Sequence, residues 1–173
     1  MTESQLSVTE HAVLGILAEA PNHGFAISKQ LDAESDVGRV FTVPRSLVYR
    51  ALDRLVDAGH AEQVTIEKAG GPRRMVHAAT AEGRRELRHW LAEPVDHVRD
   101  LRIEFLLKLS LLQRAGLSPI SLIRSQRAAL DETLDALDDP ANDTRDHVEL
   151  WRRSNAAAAA AYLASLERAY GGR

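Results

Sequence analysis

Pro44-Arg45-Ser46-Leu47-Val48-Tyr49-Arg50-Ala51-Leu52-Asp53-Arg54-Leu55-Val56-Asp57-Ala58-Gly59 is the stretch on which the fold turns. Proline suits the first position of a helix, where its missing N–H has no partner anyway, and glycine suits the residue just past the end. Between them Leu47, Val48, Ala51, Leu52, Leu55 and Val56 repeat at helical spacing along one stripe. Arg45, Ser46, Tyr49, Arg50 and Asp53 fall on the other side, with Arg54 beside them. Taken alone, such a helix is no more than one packed face and one solvated face. Its flanks decide what it is for.

Downstream of Gly59 the period changes from helical to alternating. Gln63-Val64-Thr65-Ile66-Glu67 reads as a half-buried strand, and a second strand is expected near Met75-Val76-His77-Ala78. Between them lies the turn-rich, basic Lys68-Ala69-Gly70-Gly71-Pro72-Arg73-Arg74, which makes the pair a hairpin. Upstream, Val13, Leu14, Ile16 and Leu17 predict a helix over Thr9–Glu19, with Ser7 as its cap and Glu10 completing a capping box. Ala20-Pro21-Asn22-His23-Gly24 ends it as a turn. A second helix from Phe25 to about Ala33 would bury Phe25, Ile27 and Leu31, and residues 34–42 read as a connecting loop.

Three helices followed by a two-stranded hairpin with a basic tip is the order of a winged helix-turn-helix. A DNA major groove admits one helix, which must offer base-reading side chains near its N-terminal end. Arg45, Ser46, Tyr49 and Arg50 occupy that end here, with Arg54 one turn on. Lys68, Arg73 and Arg74 at the hairpin tip would meet phosphate or the minor groove. Global charge gives no support: the chain carries −3, and residues 1–80 hold eight Lys/Arg against ten Asp/Glu. Recognition would rest on a local patch, with a steep salt dependence.

Several spaced motifs carry a resemblance. Leu14-Gly15-Ile16-Leu17-Ala18, Pro21-Asn22-His23-Gly24-Phe25-Ala26-Ile27, Val48-Tyr49-Arg50-Ala51-Leu52-Asp53-Arg54-Leu55 with Gly59, Gly71-Pro72-Arg73-Arg74 and Thr80-Ala81-Glu82-Gly83-Arg84 occur in that order. Over about residues 10–92 the chain resembles the PadR family of bacterial transcriptional regulators. Its long helical remainder resembles the larger PadR subfamily, whose C-terminal helices form the dimer. The resemblance implies a homodimeric repressor, a recognition helix around Tyr49, a basic wing at Arg73 and Arg74, and often release by a small molecule or stress signal. Arg50 departs from the proline that many members carry after that tyrosine, and Arg45 to Leu47 replace their Gly or Thr, so the operator sequence does not transfer. His23 and Gly24 match a family turn: His23 is expected to cap the second helix and Gly24 to supply backbone freedom. A catalytic His23 is the weaker reading.

Thr80 can cap a further helix running to about Ala92, where Glu93-Pro94 breaks it. Helices are then expected at 96–114, at 119–138 behind Ser118 and Pro119, and at 143–169. The expected architecture is mainly α with a small β-hairpin wing: residues 1–80 a winged helix-turn-helix DNA-binding domain, and residues 81–173 a helical dimerisation and effector region. Leu101, Phe105, Leu109, Val148, Trp151, Tyr162 and Leu166 are the candidate interface residues, with intrachain packing as the plainer alternative. The small side chains of Ala156 to Ala161 would let a partner helix come close. Trp90 and Trp151 are candidate contacts for an aromatic small-molecule effector, against the plainer role of core or interface anchors.

Composition closes off other classes. Absence of cysteine excludes disulfides and thiolate chemistry, and no stretch reaches the roughly 20 apolar residues of a membrane span. The N-terminus lacks a signal-peptide pattern, so a cytoplasmic location is expected. His89, Glu93 and His97 have a metal-like spacing, but Pro94 breaks the helix it would need, so no metal and no cofactor are expected. No phosphate loop, zinc helix or nucleophile motif suggests an enzyme. The expected partners are a pseudo-palindromic double-stranded DNA operator and a second copy of the chain, with no membrane. Two alternatives stand: a winged-helix protein–protein interaction module, which suits the acidic charge, and a MarR-like regulator, which usually carries dimer helices before its winged helix as well as after it.

Overall fold

The computed structural model describes residues 6–65, 75–137 and 146–172. It forms two compact units that divide between Leu91 and Ala92.

The first unit begins with α1 (Val8–Glu19), and the expected capping box is present. Ser7 Oγ accepts from the Glu10 N–H at 3.3 Å, and Glu10 Oε2 accepts from the Ser7 N–H at 2.6 Å. Each bond satisfies an amide that the start of a helix would leave unpaired. After α1 come β1 (Asn22–His23), α2 (Gly24–Gln30), α3 (Arg45–Asp57), β2 (Ala61–Thr65), β3 (Met75–Ala79) and α4 (Ala81–Ala92). The helix that decides the fold starts just after Pro44 and ends before Gly59, whose φ of +75° is the left-handed turn expected of a C-terminal glycine.

The sheet is antiparallel in the order β1-β3-β2. The first strand, read from sequence as a turn, is only two residues long: Asn22 pairs with His77 and His23 with Val76. On the other side Gln63 pairs with His77 and Val64 with Val76, so one face of β3 carries His77 and the opposite face carries Val76. Lys68, Arg73 and Arg74, expected at the wing tip, lie outside the described residues.

The core of this unit is built from Leu14, Ile16 and Leu17 on α1, Ile27 on α2, and Val48, Leu52 and Leu55 on α3, all essentially inaccessible. Two expected core residues are not in it. Phe25 is 47% exposed, and Leu47 sits at the edge of the α3 stripe, 38% exposed. Successive residues of a helix turn by about 100°, so Phe25 points almost opposite to Ile27.

The two units divide at the last residue of α4, and α4 is locked to the winged part of the chain. Thr80 Oγ1 donates to the Gly59 carbonyl at 2.8 Å and accepts from the Gly83 N–H at 3.0 Å. Gly83 lies so close to the turn that a β-carbon there would stand 2.0 Å from the His60 carbonyl oxygen. Farther along, the Trp90 indole stacks on the buried His11 ring at 4.3 Å, with 7° between the planes.

The second unit holds a 3-10 turn (Val98–Arg102), α5 (Glu104–Arg114), α6 (Ile120–Leu137) and α7 (His147–Gly171). The expected continuous helix over 96–114 is therefore interrupted at Ile103, where φ and ψ are −114° and −67°. Tightening the turn before this point lets Leu101 and Phe105 both reach the core, while Arg102 and Ile103 remain outside. Two buried polar residues hold the irregular segment at the start of this unit. Gln126 Oε1 accepts from the Val95 N–H at 2.8 Å and its Nε2 donates to the Val95 carbonyl at 2.9 Å. Lys108 Nζ donates to the Glu93 carbonyl at 2.8 Å and pairs with Glu104 at 3.0 Å. Both satisfy backbone that Pro94 keeps out of any helix.

α7 runs antiparallel to α6, with Ala156, Ala159 and Leu163 buried and Arg127 paired to Glu167 at 2.7 Å. No helix among the described residues is long and apolar enough to cross a membrane.

Candidate nucleic-acid interface

The exposed side of α3 carries the side chains that the sequence singles out: Arg45, Ser46, Tyr49, Arg50 and Arg54 are all solvent-exposed. They are not equally free.

Arg45 is held by aromatic rings. Its guanidinium lies 5.1 Å from the Phe25 ring centroid and 5.5 Å from that of Tyr49, and Nη2 donates to the Tyr49 hydroxyl at 3.4 Å. A cation over an aromatic face at this range gains about 0.5–1 kcal/mol when exposed. The exposure of Phe25 thus has a purpose that sequence reasoning missed: it forms half of a platform for Arg45.

Tyr49 is seated in turn by Gly24. A β-carbon on Gly24 would stand 2.8 Å from Tyr49 Cε1 and 2.9 Å from Cζ, so only glycine lets the ring lie there. This corrects the expected reason for Gly24, which has no left-handed backbone. The glycine provides space. His23 does cap α2 as expected, with Nδ1 accepting from the Ala26 N–H at 3.1 Å.

Arg54 serves the fold. Its Nη1 donates to Glu10 Oε1 at 3.1 Å, tying α3 to the capping box of α1. Burial would raise the Glu10 carboxyl, but the Ser7 amide, the Arg54 guanidinium and the Ser7 hydroxyl hold its pKa below the ordinary value. Arg54 is thereby drawn away from the role of a free DNA contact. Ser46 and Arg50 have no hydrogen-bond or ion-pair partner among the described residues, and both project from the exposed side of α3.

The candidate dimer residues separate into two groups. Leu101 and Phe105 are 6% and 0% exposed and belong to the core of their own unit, so the expected interface role is corrected for both. Leu109 and Leu166 are half-buried, whereas Val148, Trp151 and Tyr162 are exposed, Trp151 by 69%. Of the two candidate effector contacts, Trp90 is a buried anchor against His11 and offers no open face. Among the described residues no group of three His, Asp or Glu side chains is arranged to hold a metal ion.

Residues 13–89 match the model of the transcriptional regulator PadR-like family, a span that takes in the latter part of α1, α2, α3, the sheet and most of α4. Over that segment, a little under half of the chain, the sequence is similar to the PadR-like family. The "Probable transcriptional regulator Rv1176c" of Mycobacterium tuberculosis is 28% identical over an alignment of 126 residues that covers 69% of this chain and 66% of that protein. The chain thus spans slightly less than two thirds of that relative's length. Bacillus subtilis PadR in complex with operator DNA is 21% identical with a TM-score of 0.49, covering 95% of this chain and 98% of its own. The PadR-like regulator BC1756 of Bacillus cereus is 16% identical with a TM-score of 0.46, covering 99% and 98%.

Proposed function

We propose that this PadR-like chain is a cytoplasmic, homodimeric repressor that binds a pseudo-palindromic double-stranded DNA operator and releases it in response to a small-molecule effector. Residues 1–80, completed by α4, serve as the reading head, and the helical second unit serves dimerisation. The single observation that carries the reading is Arg45 stacked on Phe25 and Tyr49, at the N-terminal end of α3, beside the unengaged Ser46 and Arg50. An arginine fixed at the mouth of a groove-sized helix is suited to a guanine edge, and the two free side chains are suited to neighbouring bases or phosphates. Val148 and Trp151, exposed on one side of the start of α7, support a second copy of the chain as the partner.

A gel shift of DNA upstream of the protein's own gene tests the reading. The full chain should retard it at low salt and lose affinity steeply as salt rises. Arg50→Ala should cost about 1–3 kcal/mol and relax the base preference. No shift at low salt, with folded protein in hand, would instead favour a protein-contact module. Trp151→Asp should convert the dimer to monomer by light scattering; a persisting dimer would place the interface elsewhere.

A further inference from the structure

A cleft of about 440 Å³ opens on the first unit between the start of α2, the middle of α3 and the sheet. Phe25, Tyr49 and Met75 give it apolar walls, and all three are large side chains left substantially exposed, by 47%, 41% and 57%. Its polar lining includes Asp53, Gln63 and His77. Gln63 and His77 stand directly opposite in the β2–β3 register, so both present to the same face of the sheet. His77 is only 7% exposed, yet its Nδ1 has no hydrogen-bond partner among the described residues. The imidazole lines the recess, and with Nδ1 itself inaccessible an occupant would reach the ring through its other edge, at Nε2.

The chemistry of the lining narrows the occupant. Two aromatic faces and a thioether favour a flat ring. Asp53 accepts hydrogen bonds only, Gln63 both donates and accepts, and the imidazole nitrogen does one or the other according to tautomer. Among the described residues no Lys or Arg lines the cleft, and Asp53 disfavours an anion. Molecules of this size class fill small-molecule sites of about 300–1,000 Å³. A second cleft, about 540 Å³ between the α5–α6 turn and the end of α7, contains no buried unpartnered side chain among the described residues.

We propose that the cleft is a binding site for a small, uncharged, planar nitrogen heterocycle carrying an amino group, stacked on Phe25 and Tyr49 and hydrogen-bonded to His77, Gln63 and Asp53. The site abuts the reading head, because the rings that line it are those on which Arg45 rests. Gly24 backs the Tyr49 ring closely, so an occupant pressing on that ring is relieved by displacing Arg45 rather than by the ring's retreat. The coupling to operator release rests on the proposed DNA reading; the site itself does not.

The experiment uses the full chain without DNA, so that failure of the site and failure of the DNA reading remain distinct. Free adenine, indole and indole-3-acetate are titrated separately, with the Met75 methyl and the His77 ring followed by NMR. Adenine should bind, moving both signals, with indole weaker by about tenfold for want of the polar anchors and indole-3-acetate weaker still. Asp53→Ala, an exposed substitution that spares the core, should weaken adenine while leaving indole unchanged. His77→Phe should remove the adenine preference. Absence of any shift with adenine, equal binding of adenine and indole, or adenine binding unaffected by both substitutions would overturn the proposal.

Discussion

A methyl group added at Gly24 would meet Tyr49 Cε1 at 2.8 Å and Cζ at 2.9 Å, with the Leu52 methyl Cδ1 at 3.2 Å. Ordinary van der Waals contact begins near 3.4 Å, so in Gly24→Ala the phenol ring has to move outward until that separation is restored. The ring is partly exposed and can do so, at about 0.5–1.5 kcal/mol for a side chain pushed off its rotamer. Against that stands a gain of about 0.4–1 kcal/mol, because alanine restricts the unfolded chain more than glycine and no left-handed backbone is required here. Net stability should change by less than about 1 kcal/mol, a melting shift of roughly 2–4 °C at this chain length. DNA binding should fare differently. Moving Tyr49 removes part of the platform of Arg45, worth about 0.5–1 kcal/mol, and misaligns an arginine whose proposed base contact would be worth about 1–3 kcal/mol. Operator affinity should fall roughly tenfold for each 1.4 kcal/mol lost. Melting curves and quantitative gel shifts on the same preparation give both quantities. Unchanged affinity in a normally folded variant would refute the role given to the Phe25–Arg45–Tyr49 stack. Destabilisation beyond about 3 kcal/mol would refute the claim that the ring can yield.

Gly83→Ala should behave oppositely: its β-carbon meets the backbone oxygen of His60 at 2.0 Å, no side chain can give way, and thermal melting should show a loss of about 1–3 kcal/mol or more. The Glu10 carboxyl is held below its ordinary pKa of 4.5, so its contribution to stability is complete above that pH and lost as pH falls through the folded value. Arg54→Ala should therefore cost about 1 kcal/mol near neutrality, discounted because the guanidinium is 66% exposed, and the gap from the parent protein should close in melts below about pH 4.5. A gap that persists undiminished in acid would show that Arg54 acts through packing alone.

Local rules made much of the first unit legible. The Ser7–Glu10 box, the Pro44 and Gly59 limits of α3 and the His23 cap each depend on residues within four positions of one another. What was not legible depends on partners far along the chain. Strand β1 spans two residues and exists because β3 lies beside it, more than fifty positions away. Arg54 looked like a surface cation because its partner, Glu10, sits on another helix. Trp90 gave no sign of the His11 ring beneath it, and Leu101 and Phe105 gave no sign that their own unit would bury them. Phe25 is a mixed case: its angular position opposite Ile27 is legible in the sequence, while its hydrophobicity points to the core it does not enter. Its cation partner follows from spacing only once α2 and α3 are known to cross.

The uneven tethering of the α3 side chains bears on how such a regulator could diverge. Arg45 shares contacts with Phe25 and Tyr49, and Tyr49 with Gly24, so a change at any one of these burdens the others. Ser46 and Arg50 carry no such obligations within the described chain. Gene duplicates drifting toward new target sequences would find those two positions open to substitution with little loss of foldedness. Arg45 and its neighbours would form an inherited constant, so related regulators should share one base preference at one end of the half-site and vary beside it.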